Sequence, residues 1–298
     1  MAQVRANGIA IEAEVYGPET GEAVLLVMGL GAQLTRWPLE LIHMLTARGY
    51  RVIRYDNRDV GLSQKFDTFG PVDMGSLVTA VATGKKPDVA YTLDDMAADG
   101  IGVLDAFGIR RAHIVGASMG GMIAQLIAAL YPQRTLSLVS IMSSTGNPAL
   151  PPAKPEAMAV LMSRPSRDDL ESFVAQSIRA QVTIGSPGYP VDEAELRART
   201  ISDLERSNYA DGFTRQTAAI LACGDRRETL KRVAAPTIVL HGLDDPLVPV
   251  EGGRDTAASI KGAELREIPG MGHDLPAPLY PLVVDTIETA ASRARAHA

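Results

Sequence analysis

Apolar strand-like runs alternate with stretches of helical period along most of the chain. Ala23–Met28 is a continuous apolar run and reads as a central strand covered on both faces; Arg51–Tyr55, Leu136–Met142, which reads as buried, and Thr237–Gly242 read as further strands. Gly8–Tyr16 alternates instead, which predicts an antiparallel hairpin with the residues just before it. Helices are predicted over Trp37–Arg48, closed by Gly49, and over Thr92–Phe107, capped by Thr92 with Asp95 in its first turn and closed by Gly108. Leu265–Ile268 gives one more strand, and a last helix starts at about Leu279.

The texture changes after Thr145. Residues 146–157 are rich in Pro and Ala, and residues 156–222 carry amphipathic helical patterns without a long strand-like run. Leu170-x-x-Phe173-Val174-x-x-x-Ile178 and Glu193–Leu204 are examples. The element order therefore predicts an α/β protein: a mostly parallel sheet, helices on both faces, and a helical cap inserted after the sixth strand. The expected division is a core in two parts, 1–145 and 229–298, with the cap at 146–228. Active sites in such sheets lie beyond the C-terminal strand ends, so candidate chemistry is sought there.

The segment Ala112–Met122 carries Gly116-Ala-Ser118-Met-Gly120 between a short apolar strand and an apolar helix, Met119–Tyr131. This is the context of a nucleophile elbow, a turn sharp enough to strain its serine and to require glycine on either side. A serine needs a base, and the base an orienting carboxylate. Downstream, in that chain order, Gly242-Leu-Asp244-Asp245-Pro246 ends one strand and Gly270-Met-Gly-His273 follows the next. Asp245, stiffened by Pro246, is preferred as the acid over Asp244. Asp274 is poorly placed to reach the ring of its own neighbour. The loop Ser143–Asn147 offers no carboxylate. Oxyanion donors are expected from the backbone N–H groups of Met119 and of Leu30, the latter between Gly29 and Gly31.

The remaining histidines have other readings. His113 is at the wrong end of its strand, His241 is inside one, His43 lies on a surface helix and His297 in the tail. None has metal-ligand spacing with a carboxylate or cysteine, so neither metal nor cofactor is implied. Cys223 is the only cysteine, which excludes an intrachain disulfide and reads as a small buried hydrophobe. The 298 residues carry a net charge of −6 with no basic stripe beyond the tail Arg293-Ala-Arg295, which argues against a nucleic-acid partner. No apolar run reaches membrane-spanning length, and the N-terminus has no signal-peptide core, so a cytoplasmic enzyme is expected; a homo-oligomer is left open.

These residues resemble the α/β-hydrolase family, whose fold implies an eight-stranded, mostly parallel sheet. The resemblance rests on Met28-Gly-Leu-Gly31, Tyr55-Asp-Asn-Arg58-Asp59, Gly116–Gly121, Gly242–Pro249 and Gly270–His273. Within the family the chain is most similar to aclacinomycin methylesterase-type serine esterases. That similarity implies hydrolysis of carboxylic esters, with Ser118, Asp245 and His273 as the triad. Arg58 and Asp59 read as structural. A small hydrophobic ester is the expected partner, met by Gly29, Trp37, Met158, Leu161, Met162 and Phe173. A lactonase, a carbon–carbon bond hydrolase or a cofactor-free perhydrolase could use the same triad. A small-molecule receptor on a hydrolase fold is the alternative outside enzymes.

Overall fold

The computed structural model describes residues 2–85, 87–163 and 169–296; His297 lies outside them. Eight strands form one sheet: β1 (Ala2–Ala6), β2 (Ile9–Tyr16), β3 (Ala23–Val27), β4 (Arg51–Tyr55), β5 (Ala112–Ala117), β6 (Thr135–Ile141), β7 (Thr237–Gly242) and β8 (Glu264–Ile268). Their spatial order is β1-β2-β4-β3-β5-β6-β7-β8. β1 and β2 form the expected hairpin, turned at Asn7 (φ 48°) and Gly8 (φ 81°), where both residues must take positive φ. β2 pairs antiparallel with β4, and every later pair is parallel.

The described helices are α1 (Leu39–Ala47), α2 (Met74–Ala82), α3 (Leu93–Ala106), α4 (Met119–Leu130), α5 (Pro155–Met162), α6 (Leu170–Ile184), α7 (Glu193–Arg206), α8 (Asp211–Cys223), α9 (Arg227–Leu230), α10 (Glu251–Ser259) and α11 (Tyr280–Ala296). α1 starts two residues later than the pattern predicted, because Pro38 takes the N-cap position in an extended conformation. It ends as expected at Gly49 (φ 86°): Gly49 N–H reaches the Thr46 carbonyl and Tyr50 N–H the Leu45 carbonyl, a Schellman closure. Thr92 and Asp95 form a reciprocal capping box at the start of α3. α2 is not signalled by the pattern; among its residues only Leu77 is buried.

Alternate residues of β3 face opposite layers. Leu25 and Val27 pack with Ile114, Met96, Leu104, Ile123 and Ile127. Val24 and Leu26 pack with Leu41, Leu45, Val115, Val283 and Ile287. The period-2 alternation of side chains thus builds a core on each face, with α3 and α4 on one side and α1 and α11 on the other. At the end of α11, Arg295 pairs with Glu22 and Glu288, and Arg293 with Glu264. Cys223 is half-buried at the end of α8, where burial pushes its thiol pKa up.

Helices α5–α9 are inserted between β6 and β7. Their contacts with the rest of the chain are uneven. Arg215 of α8 makes a bidentate pair with the fully buried Asp59, at 2.7 and 3.0 Å. Arg206 of α7 reaches Asp56 at 2.8 Å, and Asp203 takes Arg36 Nε at 2.6 Å. α5 instead exposes Met158 and Met162, and buries only Ala157. Arg58 is held in the core by both oxygens of Asp99, each at 2.6 Å.

Candidate active site

β5 ends at Ala117 and α4 begins at Met119, so Ser118 alone makes the turn. Its φ of 57° is the left-handed value that a side chain avoids. Ser118 N–H extends the β5–β6 ladder to the Ile141 carbonyl at 2.9 Å, and its own carbonyl accepts from Gly121 N–H at 2.9 Å. The neighbouring glycines are required by backbone contact. A Cβ on Gly116 would lie 2.0 Å from the Gly120 carbonyl oxygen, and one on Gly120 would lie 2.1 Å from that of Val27. The elbow is therefore wedged against β3 as well as folded on itself.

His273 arrives on the loop after β8. Its Nε2 is 2.9 Å from Ser118 Oγ, and its Nδ1 is 2.7 Å from Asp245 Oδ2. Asp245 is 5% exposed, and its Oδ1 accepts two backbone N–H groups, from Leu247 at 2.9 Å and Val248 at 2.8 Å. The carboxylate is thereby fixed with one oxygen left for the imidazole. Asp244 turns the other way and accepts Gly270 N–H. His241 lies fully buried beneath this loop; its Nε2–H donates to the Val248 carbonyl at 2.8 Å, and burial pushes its pKa down.

The loop carrying His273 is itself held by the end of α6 and the inserted segment that follows it. His273 N–H donates to the Ile184 carbonyl at 2.7 Å, and Gly272 N–H donates to Ser186 Oγ at 2.9 Å. Ser186 Oγ–H donates in turn to Asp274, whose carboxyl pKa is pushed up by burial. Backbone meets backbone here: a Cβ on Gly272 would sit 2.2 Å from the Gly185 carbonyl oxygen, and one on Gly188 would sit 2.7 Å from Gly270 Cα.

A cavity of about 1060 Å³ opens over Ser118 and His273. Gly29, Leu30, Met119, Met158, Leu161 and Phe173 line it. The N–H groups of Leu30 and Met119 have no acceptor among the described residues. Gly29 comes close enough that an added Cβ would be 3.1 Å from Ser118 Cβ. Two expected contacts are not made. Trp37 is fully buried in the apolar cluster of Leu41, Leu45 and Val283, just before α1. Met162 ends α5 and lies 46% exposed, off the cavity wall. A polar end of the cavity was not foreseen: Arg36 Nη1 and Arg199 Nη2 both donate to Gln181 Oε1, at 2.9 and 2.7 Å. No group of three or more metal-ligating side chains occurs among the described residues, and none of their helices is long and apolar enough to cross a membrane.

The doubly covered sheet, the strained serine and the loops at its strand ends define a hydrolase. The chain belongs to the α/β-hydrolase family, whose model matches residues 22–276. It is similar to rhodomycin D methylesterase DnrP of Streptomyces peucetius, 28% identical over 287 residues and covering 90% of each chain. It is also similar to a 2-hydroxy-6-oxononadienedioate/2-hydroxy-6-oxononatrienedioate hydrolase of Burkholderia vietnamiensis, 28% identical over 273 residues that cover 88% of this chain and 85% of the other. In fold it matches the meta-cleavage product hydrolase CumD of Pseudomonas fluorescens IP01, with a TM-score of 0.72 at 21% identity over 97% of this chain and 98% of that one.

Proposed function

We propose that this protein is a serine hydrolase that cleaves carboxylic esters through an acyl-enzyme. The observation that carries the reading is the unbroken hydrogen-bond chain from Asp245 through His273 to Ser118. His273 Nε2 takes the hydroxyl proton as Ser118 Oγ attacks the ester carbonyl. Asp245 holds the ring in the tautomer with Nδ1 protonated and stabilises the imidazolium that forms. The Leu30 and Met119 N–H groups receive the oxyanion; being unengaged, they lose no other bond in doing so. His273 then gives its proton to the departing alcohol. In the second half it activates a water that attacks the acyl carbonyl, and Ser118 leaves with the proton returned.

Residues 146–228 act as a cap in this reading, with Met158, Leu161 and Phe173 forming an apolar wall for the substrate. The relative named as a methylesterase supports an ester substrate over the carbon–carbon alternative, which another relative's name represents. A p-nitrophenyl acetate-to-decanoate panel on wild type and Ser118→Ala tests it. Turnover by the wild type that disappears in the alanine variant is expected; turnover that survives there rejects the serine mechanism.

A further inference from the structure

Leu30 N–H is useful only if its peptide plane is held toward Ser118, and the loop that carries it is short of intrinsic rigidity. Gly29 and Gly31 flank it, and Gly31 has φ 66°. Three side chains hold this loop from outside. Asn57 Nδ2 donates to the Met28 carbonyl at 2.8 Å, Gln216 Oε1 accepts Gly31 N–H at 2.8 Å, and Asp56 Oδ1 accepts Leu34 N–H at 2.7 Å. The Leu30 amide lies in the span between the first two anchors.

Asn57 and Asp56 come from the loop after β4, within the core of the fold. Gln216 comes from α8, far along the chain in the inserted helices. It is fully buried, and its Nε2–H donates to the Arg58 carbonyl at 2.8 Å, so the amide's orientation is fixed and Oε1 faces Gly31. α8 approaches closely on both sides of this contact. A Cβ on Gly212 would lie 2.0 Å from the Asp59 carbonyl oxygen, and one on Gly31 would lie 2.8 Å from the Phe213 ring.

We infer that Gln216 is a positioning residue for the oxyanion donor: it fixes the Leu30–Gly31 peptide, as Asn57 fixes the Met28–Gly29 peptide, so that the Gly29–Leu30 peptide held between them keeps Leu30 N–H directed at the Ser118 reaction centre. One part of the inserted helices thus completes the catalytic machinery as well as covering the substrate. This rests on the serine-hydrolase reading and adds a residue to it.

Gln216→Met keeps length and bulk but removes both hydrogen bonds; Gln216→Glu keeps an acceptor for Gly31 N–H. Ser207→Ala serves as the control, since it deletes a different contact between the insertion and the core, Ser207 Oγ–H to the Gly61 carbonyl at 2.8 Å. Steady-state kinetics on p-nitrophenyl butyrate and the inhibition constant of a phenylboronic acid, whose Ser118 adduct places an oxygen in the donor site, are measured for each. Full removal of an oxyanion donor costs about 10²–10³ in kcat; misorienting one in Gln216→Met is expected to lower kcat by roughly 10–100-fold, with KM within about threefold and boronate affinity falling in parallel. Gln216→Glu should recover part of the loss, and Ser207→Ala should stay near wild type. An unchanged kcat in Gln216→Met, a loss confined to KM, or an equal loss in Ser207→Ala overturns the inference. Failure of the underlying reading has a separate signature, wild-type turnover that persists in Ser118→Ala.

Discussion

Asp244 Oδ2 accepts Gly270 N–H at 2.8 Å, while its neighbour Asp245 takes His273 Nδ1 at 2.7 Å. Adjacent carboxylates therefore hold the same loop at two points, one through backbone and one through the imidazole. Only the second can set the ring's tautomer and charge. Asp245→Asn should lower kcat by about 10³–10⁴-fold. Asp244→Asn should cost mainly stability, on the order of 1 kcal/mol. Parallel kcat and urea-midpoint measurements check the split; a larger kcat loss in Asp244→Asn reverses the assignment.

The glycines of the elbow make a graded prediction. Gly120→Ala places a Cβ 2.1 Å from the Val27 carbonyl oxygen, where only backbone could yield. It should cost more than about 4 kcal/mol and sharply reduce soluble yield. Gly29→Ala meets Ser118 Cβ at 3.1 Å, the Ala117 carbonyl oxygen at 3.2 Å and Ser118 Oγ at 3.5 Å. It should fold with a Tm near wild type but turn over more slowly, since the crowded atoms are those of the nucleophile.

Arg215 and Asp59 bind the inserted helices to the core through a pair in which Asp59 is 0% and Arg215 4% exposed. Removing one member strands the other's charge. Arg215→Met should therefore destabilise by about 3–5 kcal/mol, and adding Asp59→Asn should recover part of that. A double-mutant cycle by chemical denaturation measures the coupling; additive losses would show the pair to be uncoupled.

Stability should fall on mild acidification. Burial is the first cause lowering the pKa of both His113 and His241 below the ordinary value of 6.5. Below that value the unfolded chain binds protons that the folded chain refuses, so stability is complete above it and declines as pH falls toward the folded values. His113 packs edge-on against Tyr50 and hydrogen-bonds Ser137 Oγ at 2.9 Å, with Glu22 at 3.6 Å. His113→Asn should flatten the slope of urea midpoint against pH between roughly 7.5 and 5.5; an unchanged slope would remove His113 from the account.

Much of the fold was legible because local pattern and tertiary demand agree. Ala23–Val27 and Thr237–Gly242 are apolar on both sides and are covered on both sides. The proposed triad was legible because each member stands just past a strand, and the sheet brings those ends together. Trp37 misled because sequence alone does not show which face a lone aromatic takes; it packs into the apolar layer with Leu41 and Val283 instead. Met162 misled because α5 buries so little that period alone does not tell cavity side from solvent side. Gln216 and Ser186 could not be found from pattern. Each is a single polar residue whose partners, Gly31 and Gly272, are distant in sequence, and no local spacing encodes that pairing.

A Cβ on Gly188 would lie 2.7 Å from Gly270 Cα and one on Gly185 would lie 2.7 Å from the Gln181 carbonyl oxygen, which leaves two sites in the insertion closed to any larger residue. Met158, Leu161 and Phe173 border open volume instead. In the proposed reading, substrate preference can drift through those three side chains with the imidazole undisturbed, whereas a methyl group at 188 would press on the loop that carries His273 before it reached the ligand. The same inserted stretch is a field for variation at one end and a fixture at the other.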